Sequence, residues 1–481
     1  MSADIGALFD ERDSLEIASL VKAGEVSPSE LAEEAIRRIE TLNPVLNAVS
    51  IPLFDYGRKA AADPALPDGP FRGVPFLLKD LGTLWEGIPL VNSCRYFRDF
   101  VCPADMTYTR RIKQAGFVLL GRSNAPEFGW CLATEPTLFG RTSNPWNLER
   151  TSGGSSGGAA AALAARMVPF VDASDGAGST RVPASHCGLV GLKPSRGRVT
   201  LDPFPDYWYG GATFLTVTHT VRETAAYLDA VGGRVTGDVY YTDMPTTPYL
   251  DEVGREPGTL RIGVTTASPD GRPLHEEVVR AVQDAAALCE NLGHAVEERP
   301  LALDWERFWG AYTRMTAAQT ASGFEDSEAL IGRPVTEDDV APLIWGLIRK
   351  GKAIDGPQHY RDVNELRLMS RELIASLADC DVHLMPVIGH PARPHGHYPM
   401  TTADPDHYNA EIMGPDAVFT APFNASGLPA MSLPLHMTAD GLPVGVQLVG
   451  RECDEATLFR LAGQLEAAKP WKGRRPPILA N

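Results

Sequence analysis

Two small-residue loops, each carrying serine, are the part of this chain best suited to chemistry. The first is Gly153-Gly154-Ser155-Ser156-Gly157-Gly158. The second is Ser174-Asp175-Gly176-Ala177-Gly178-Ser179. Between them lie an alanine-rich run to Ala165 and a short apolar stretch at 167–171. The order loop, helix, strand, loop can set both loops side by side at one end of a sheet. Acyl transfer needs a nucleophile, a group to take its proton, and donors for a developing oxyanion. The serines offer the hydroxyls, and the consecutive N–H groups of Gly176, Ala177, Gly178 and Ser179 offer the donors. A phosphate loop is excluded, because no Gly-Lys-[Ser/Thr] follows the glycines. A plain helix cap needs one serine rather than two bracketed by glycine pairs. Taken alone, Ser179 is a turn serine, and Lys79, at the end of the apolar run 74–78, is a solvated strand-end lysine.

Further motifs change that weighting. They are Gly73-Val74-Pro75-Phe76-Leu77-Leu78-Lys79-Asp80, Gly121-Arg122-Ser123-Asn124-Ala125-Pro126-Glu127-Phe128 and Ser143-Asn144-Pro145-Trp146. Gly427-Leu428-Pro429 and Gly441-Leu442-Pro443-Val444-Gly445-Val446-Gln447 follow downstream. With the two loops, this ordered set resembles the amidase signature family of serine hydrolases, from the first helices to about residue 460 and most weakly between roughly 200 and 410. The resemblance implies Ser179 as nucleophile, Ser155 as bridging serine after a cis Gly154–Ser155 peptide, and Lys79 as base. It also implies an oxyanion hole at Gly176, Ala177, Gly178 and Ser179, with no metal and no cofactor. Such a base must be neutral, and burial beside a helix N-terminus disfavours the ammonium. The chain departs from the family at Ala177, where glycine is commoner, and at Thr180, where an aliphatic residue is. A backbone donor survives both changes. The stretch 189–198 is similar to the branch that includes 6-aminohexanoate cyclic dimer hydrolases and aryl acylamidases.

The implied fold is α/β, a large mixed sheet flanked by helices on both faces. One domain spans 1–481, with an N-terminal helical layer at about 1–65, a signature core at about 66–225 and a mostly helical, variable cap at about 300–380. Local signals agree. Residues 14–45 read as two helices, the second opened by the capping box Ser27-Pro28-Ser29-Glu30. A helix ends near Ala115 before Gly116, and strands read at 74–78, 117–120 and 260–264. A helix is expected over 157–166, loop over 230–260, helix over 325–380, and strands again over 427–449. Trp305, Phe308, Trp309 and Tyr312 share one helical face and read as core before substrate wall.

Composition narrows the partners. Forty-four Lys+Arg against 61 Asp+Glu gives a net charge of −17. Without a basic cluster, neither nucleic acid nor an anionic membrane is expected. The mean hydropathy of −0.13 and 44% hydrophobic residues suit a globular protein. Seven scattered cysteines without a CxxC indicate neither a disulfide framework nor a zinc knuckle. With no apolar run long enough to span a bilayer and no leader-like start, a cytoplasmic monomer or homodimer is expected.

The reading is therefore a hydrolase cleaving the carbon–nitrogen bond of a small aryl, alkyl or cyclic amide. Alternatives are a carbamate hydrolase with the same triad, the amidase-like subunit of a tRNA-dependent amidotransferase, a binding protein without activity, and a metallohydrolase built on His390, His395 and His397. Those histidines lie in a Pro/Gly loop without a helical ligand spacing. Gly129, Trp130, Cys131, Tyr207 and Trp208 are candidate pocket residues, with Trp130 equally readable as core. Prolonged chelation should leave amide hydrolysis unchanged, and recovery of lost activity specifically by zinc would overturn the metal-free assignment.

Overall fold

A computed structural model describes residues 5–479. The reading of the extreme N-terminus as lacking a leader falls mainly on residues 1–4, outside the described residues. The fold is mixed α/β, with helices packed on a mixed sheet. Seven strands run in the order Val217–Thr218, Val190–Lys193, Ala430–Met437, Pro443–Gly450, Val382–Pro386, Arg261–Val264 and Ala295–Glu298. The last two junctions are parallel and the other four antiparallel. A second ladder orders Val49–Pro52, Val118–Ser123, Pro75–Lys79 and Phe170–Val171. The expected large mixed sheet is present as the seven-stranded ladder, and the remaining strands form separate parts. Between these parts, Ala173–Asp175 pairs with Thr213–Leu215, and the Thr216 hydroxyl donates to the Val171 carbonyl at 2.6 Å.

Local rules explain most elements. Ser27 and Glu30 close a reciprocal capping box on helix Pro28–Leu46, whose Leu31, Ala35, Ile39 and Leu42 are buried. Helix Val221–Val231 runs to the edge of the expected 230–260 loop, which also holds the short helix Tyr249–Glu252. The expected cap region at about 300–380 holds helices Trp305–Ile331, Pro342–Lys352 and Gly356–Leu377. Its aromatic face is core: Phe308, Trp309 and Tyr312 are buried and stack on one another, with Trp309 and Tyr312 centroids 5.5 Å apart.

Helix Gly157–Ala164 carries the first serine loop and is wholly buried. Such a helix must be built of small residues, because backbone surrounds it. A Cβ on Gly158 would lie 2.5 Å from the Asn124 backbone and 2.6 Å from the Ala48 carbonyl oxygen. Gly158→Ala is expected to cost about 1–3 kcal/mol by overpacking, read as a lower denaturant midpoint with an unchanged slope.

Candidate active site

Lys79 ends its strand completely buried. Its Nζ donates to Ser155 Oγ at 2.7 Å and to Ser174 Oγ at 2.9 Å. Burial pulls its pKa down to about 7, against the opposing pull of Asp172 and Asp175. An amine with that affinity is substantially neutral at neutral pH, as a proton acceptor must be. The Gly154–Ser155 peptide is cis. The two serine loops are joined where Ser156 N–H donates to the Ser179 carbonyl at 3.2 Å. Ser155, Ser174 and Ser179 line one cavity of about 300 Å³.

The second loop is held by Asp175 and Arg181, both fully buried. Arg181 Nε and Nη2 each donate to the carboxylate at 2.9 Å. Burial alone would raise the Asp175 pKa, but the guanidinium holds it well below the usual carboxylate range. Arg181 also donates to Gln447 Oε1 at 2.8 Å and Asn424 Oδ1 at 2.6 Å. This anchoring uses one expected oxyanion donor. The Gly178 N–H donates to Asp175 Oδ1 at 2.7 Å and so faces the carboxylate rather than substrate. Among the described residues, the Gly176, Ala177 and Ser179 N–H groups have no hydrogen-bond acceptor in the protein. Gly176 and Ala177 are fixed from behind, their carbonyls accepting from the Tyr312 and Thr420 hydroxyls.

The proposed pocket residues divide. Gly129, Trp130, Tyr207 and Trp208 line the cavity. Gly129, at φ +72°, lets the chain pass Ser155, whose Oγ would be 3.1 Å from a Cβ there. Trp130 meets Trp208 at 5.5 Å between centroids, and Trp208 lies over Gly176, where a Cβ would fall 2.4 Å from the indole. Cys131 is a correction. It turns away from the cavity, its thiol donating to the Tyr398 carbonyl and accepting from Ala133 N–H. Sequence reasoning missed Ser174 as a partner of Lys79, and it missed the contribution of the cap helix, which supplies Gln319, Thr320 and Phe324. The histidines of this loop face carboxylates: His390 lies 2.9 Å from Asp416 and His395 2.8 Å from Glu135. Among the described residues, no three His, Cys, Asp or Glu side chains are grouped to hold a metal ion.

The amidase family model matches residues 30–459. The chain belongs to the amidase signature family. A 6-aminohexanoate-cyclic-dimer hydrolase of Paenarthrobacter ureafaciens is 39% identical over 480 residues, covering 97% of each chain. The solved structure of a 6-aminohexanoate cyclic dimer hydrolase complexed with substrate matches at TM-score 0.92 and 37% identity, over 99% of this chain and 100% of that one. A bacterial aryl acylamidase matches at TM-score 0.86 and 28% identity, over 97% and 99%. This amidase is accordingly a hydrolase of amide carbon–nitrogen bonds. No helix among its described residues is long and apolar enough to cross a membrane.

Trp130 in this amidase is both 5% exposed and part of the cavity wall. Trp130→Ala should therefore lower stability by about 3–5 kcal/mol and also change the ratio of kcat/KM between an anilide and a short aliphatic amide. Paired denaturation and kinetic measurements check both, and an unchanged ratio would remove Trp130 from the site.

Proposed function

We propose that this amidase cleaves small neutral amides through a Ser-Ser-Lys acyl-enzyme mechanism. The observation that carries the reading is Lys79, buried, its pKa lowered, and hydrogen-bonded to Ser155. Neutral Lys79 accepts the Ser155 proton as Ser155 takes that of Ser179. Ser179 Oγ then attacks the amide carbonyl. The Gly176, Ala177 and Ser179 N–H groups stabilise the oxyanion. On collapse, the proton returns through Ser155 to the leaving amine. Water attacks the resulting ester along the same relay and regenerates Ser179.

The cavity supports the substrate class. Phe97, Phe128, Trp130, Trp208, Phe214 and Phe324 contribute aromatic surface, which favours cyclic, aryl or long apolar groups through burial and offset stacking. Among the described residues, Asp175 is the one acidic or basic residue in the lining, and Arg181 neutralises it. A charged substrate end therefore has no free partner in the pocket. The similarity to cyclic dimer hydrolases and an aryl acylamidase points the same way. A carbamate presents a comparable planar carbonyl, so a panel of anilides, aliphatic amides, lactams and carbamates ranks the classes.

Ser179→Ala should abolish the acyl-enzyme seen by mass spectrometry, and Lys79→Ala should lower kcat by roughly 10²–10⁴-fold. Because the Lys79 pKa is lowered to about 7, the ammonium forms below that pH and the relay loses its acceptor. The kcat/KM profile should fall on the acid side of about pH 7. Near wild-type turnover by Lys79→Ala at neutral pH would refute the assignment.

A further inference from the structure

Against the backbone of Lys79, and outside the cavity lining, lies a buried acid that the relay does not use. Asp172 is fully buried, in the short link between strands Phe170–Val171 and Ala173–Asp175. Its Oδ2 accepts the backbone N–H of Lys79 itself at 3.3 Å. Its Oδ1 accepts from the Tyr108 hydroxyl at 2.7 Å. Tyr108 is in turn 2.8 Å from the Tyr227 hydroxyl and 2.9 Å from the Leu215 carbonyl oxygen. Both tyrosines are fully buried, with burial raising their pKa values well above the ordinary range, so they act as neutral donors. With both rings neutral, Tyr227 can donate to Tyr108 and Tyr108 to Asp172.

The charged and titratable groups around this acid come from every neighbouring element. Lys79 stands on strand Pro75–Lys79, Arg122 on Val118–Ser123, Tyr108 on helix Thr107–Gln114 and Tyr227 on helix Val221–Val231. Arg122 donates to the Lys79 carbonyl at 3.0 Å. Burial pushes the Asp172 pKa up to about 7, against the pull of the Tyr108 and Lys79 N–H hydrogen bonds and of the Lys79 and Arg122 charges. On the cavity side, Asp175 is committed to Arg181. Asp80, the residue after Lys79, is also buried and accepts from the Val91 and Ser93 N–H groups, whereas Asp172 is the carboxyl that accepts the Lys79 N–H itself.

We propose that Asp172, held by the Tyr227–Tyr108 chain, is a positioning residue that sets the pH at which Lys79 becomes a base. The inference rests on the Lys79 reading above. Asp172 and Lys79 titrate over the same range near pH 7, and wherever Asp172 is ionised it favours the ammonium form, so it holds the acid limb of the pH–rate profile at a higher pH than burial of Lys79 alone would. Removing its charge deepens the bias toward the neutral amine. The same carboxylate anchors the end of the lysine strand, so geometry and charge are coupled at one residue.

The test is the kcat/KM profile of wild type, Asp172→Asn, Tyr108→Phe and Lys79→Ala on an anilide, each with a thermal melt. Asp172→Asn should move the acid limb to lower pH by about one unit, the smaller end of the effect of a nearby opposite charge. Tyr108→Phe removes a donor that stabilises the carboxylate, so it should move the limb in the same direction by less. A folded Asp172→Asn protein with an unmoved limb overturns the inference. If that variant does not fold, an unmoved limb in Tyr108→Phe does the same. In either case a large loss in Lys79→Ala leaves the base assignment standing. Lys79→Ala at near wild-type rate refutes the base assignment and this inference together.

Discussion

The site depends on taking one ammonium group out of water. Lys79 ends a buried strand between Val118–Ser123 and Phe170–Val171, with no solvent to hold its proton. Removing a charge from water costs several kcal/mol even in a relaxed protein, and the group responds by favouring its neutral form. An amine that water would keep protonated at neutral pH thereby becomes substantially neutral there, as the proposed acceptor must be, without a histidine. The glycine- and alanine-rich helix follows from the same requirement. To bring Ser155 to a lysine at this depth, the helix behind that serine must enter the interior, and Gly157–Ala164 has side chains small enough to do so.

The second constraint is the loop that carries Ser179, the proposed nucleophile. A loop that presents free N–H groups to a ligand cannot use them to stabilise itself. It must be held by its carbonyls and by a neighbour. Tyr312 and Thr420 hold the carbonyls of Gly176 and Ala177. Asp175 takes the Gly178 N–H and is locked by Arg181 to Asn424 and Gln447. Loss of Arg181 would leave a buried carboxylate unpaired, the costly way to break such a pair. The distant motif ending at Gln447 thus acts on the site by bracing the loop rather than by touching substrate.

The serine loops, the lysine strand, the first helices and the helical cap were legible because each has a local cause: glycine pairs, a capping box, short apolar runs. Lys79 was legible only through the family resemblance, not from its own position. Strand-end lysines are ordinarily solvated, and its burial follows from strands far apart in sequence. Gly178 was misassigned because a run of N–H groups says nothing about which one a buried carboxylate will claim. Cys131 was misassigned because facing does not alternate predictably in a loop. Ser174 was in view, but its contact with Lys79 arises only when strand Ala173–Asp175 is placed. The grouping of the remaining strands into separate parts was equally hidden, since strand runs carry no record of their partners.

The pocket wall carries the last consequence. Trp130 could be read as core or as substrate contact, and the structure removes the opposition. Phe128 meets Phe324 at 4.7 Å and Phe97 at 5.6 Å between centroids, all three lining the cavity while packing as core. The Ala341 N–H donates to Glu127 Oε1 at 2.8 Å, and Tyr96 donates to the Arg333 carbonyl at 2.5 Å. These bonds tie the cap to the segments that supply those rings. Burial pushes the Glu127 pKa up to about 7, so protonating it at lower pH relieves a buried charge while keeping an acceptor for Ala341. Substrate shape and cap stability therefore draw on the same aromatic cluster, so a substitution that enlarges the pocket also loosens the cap.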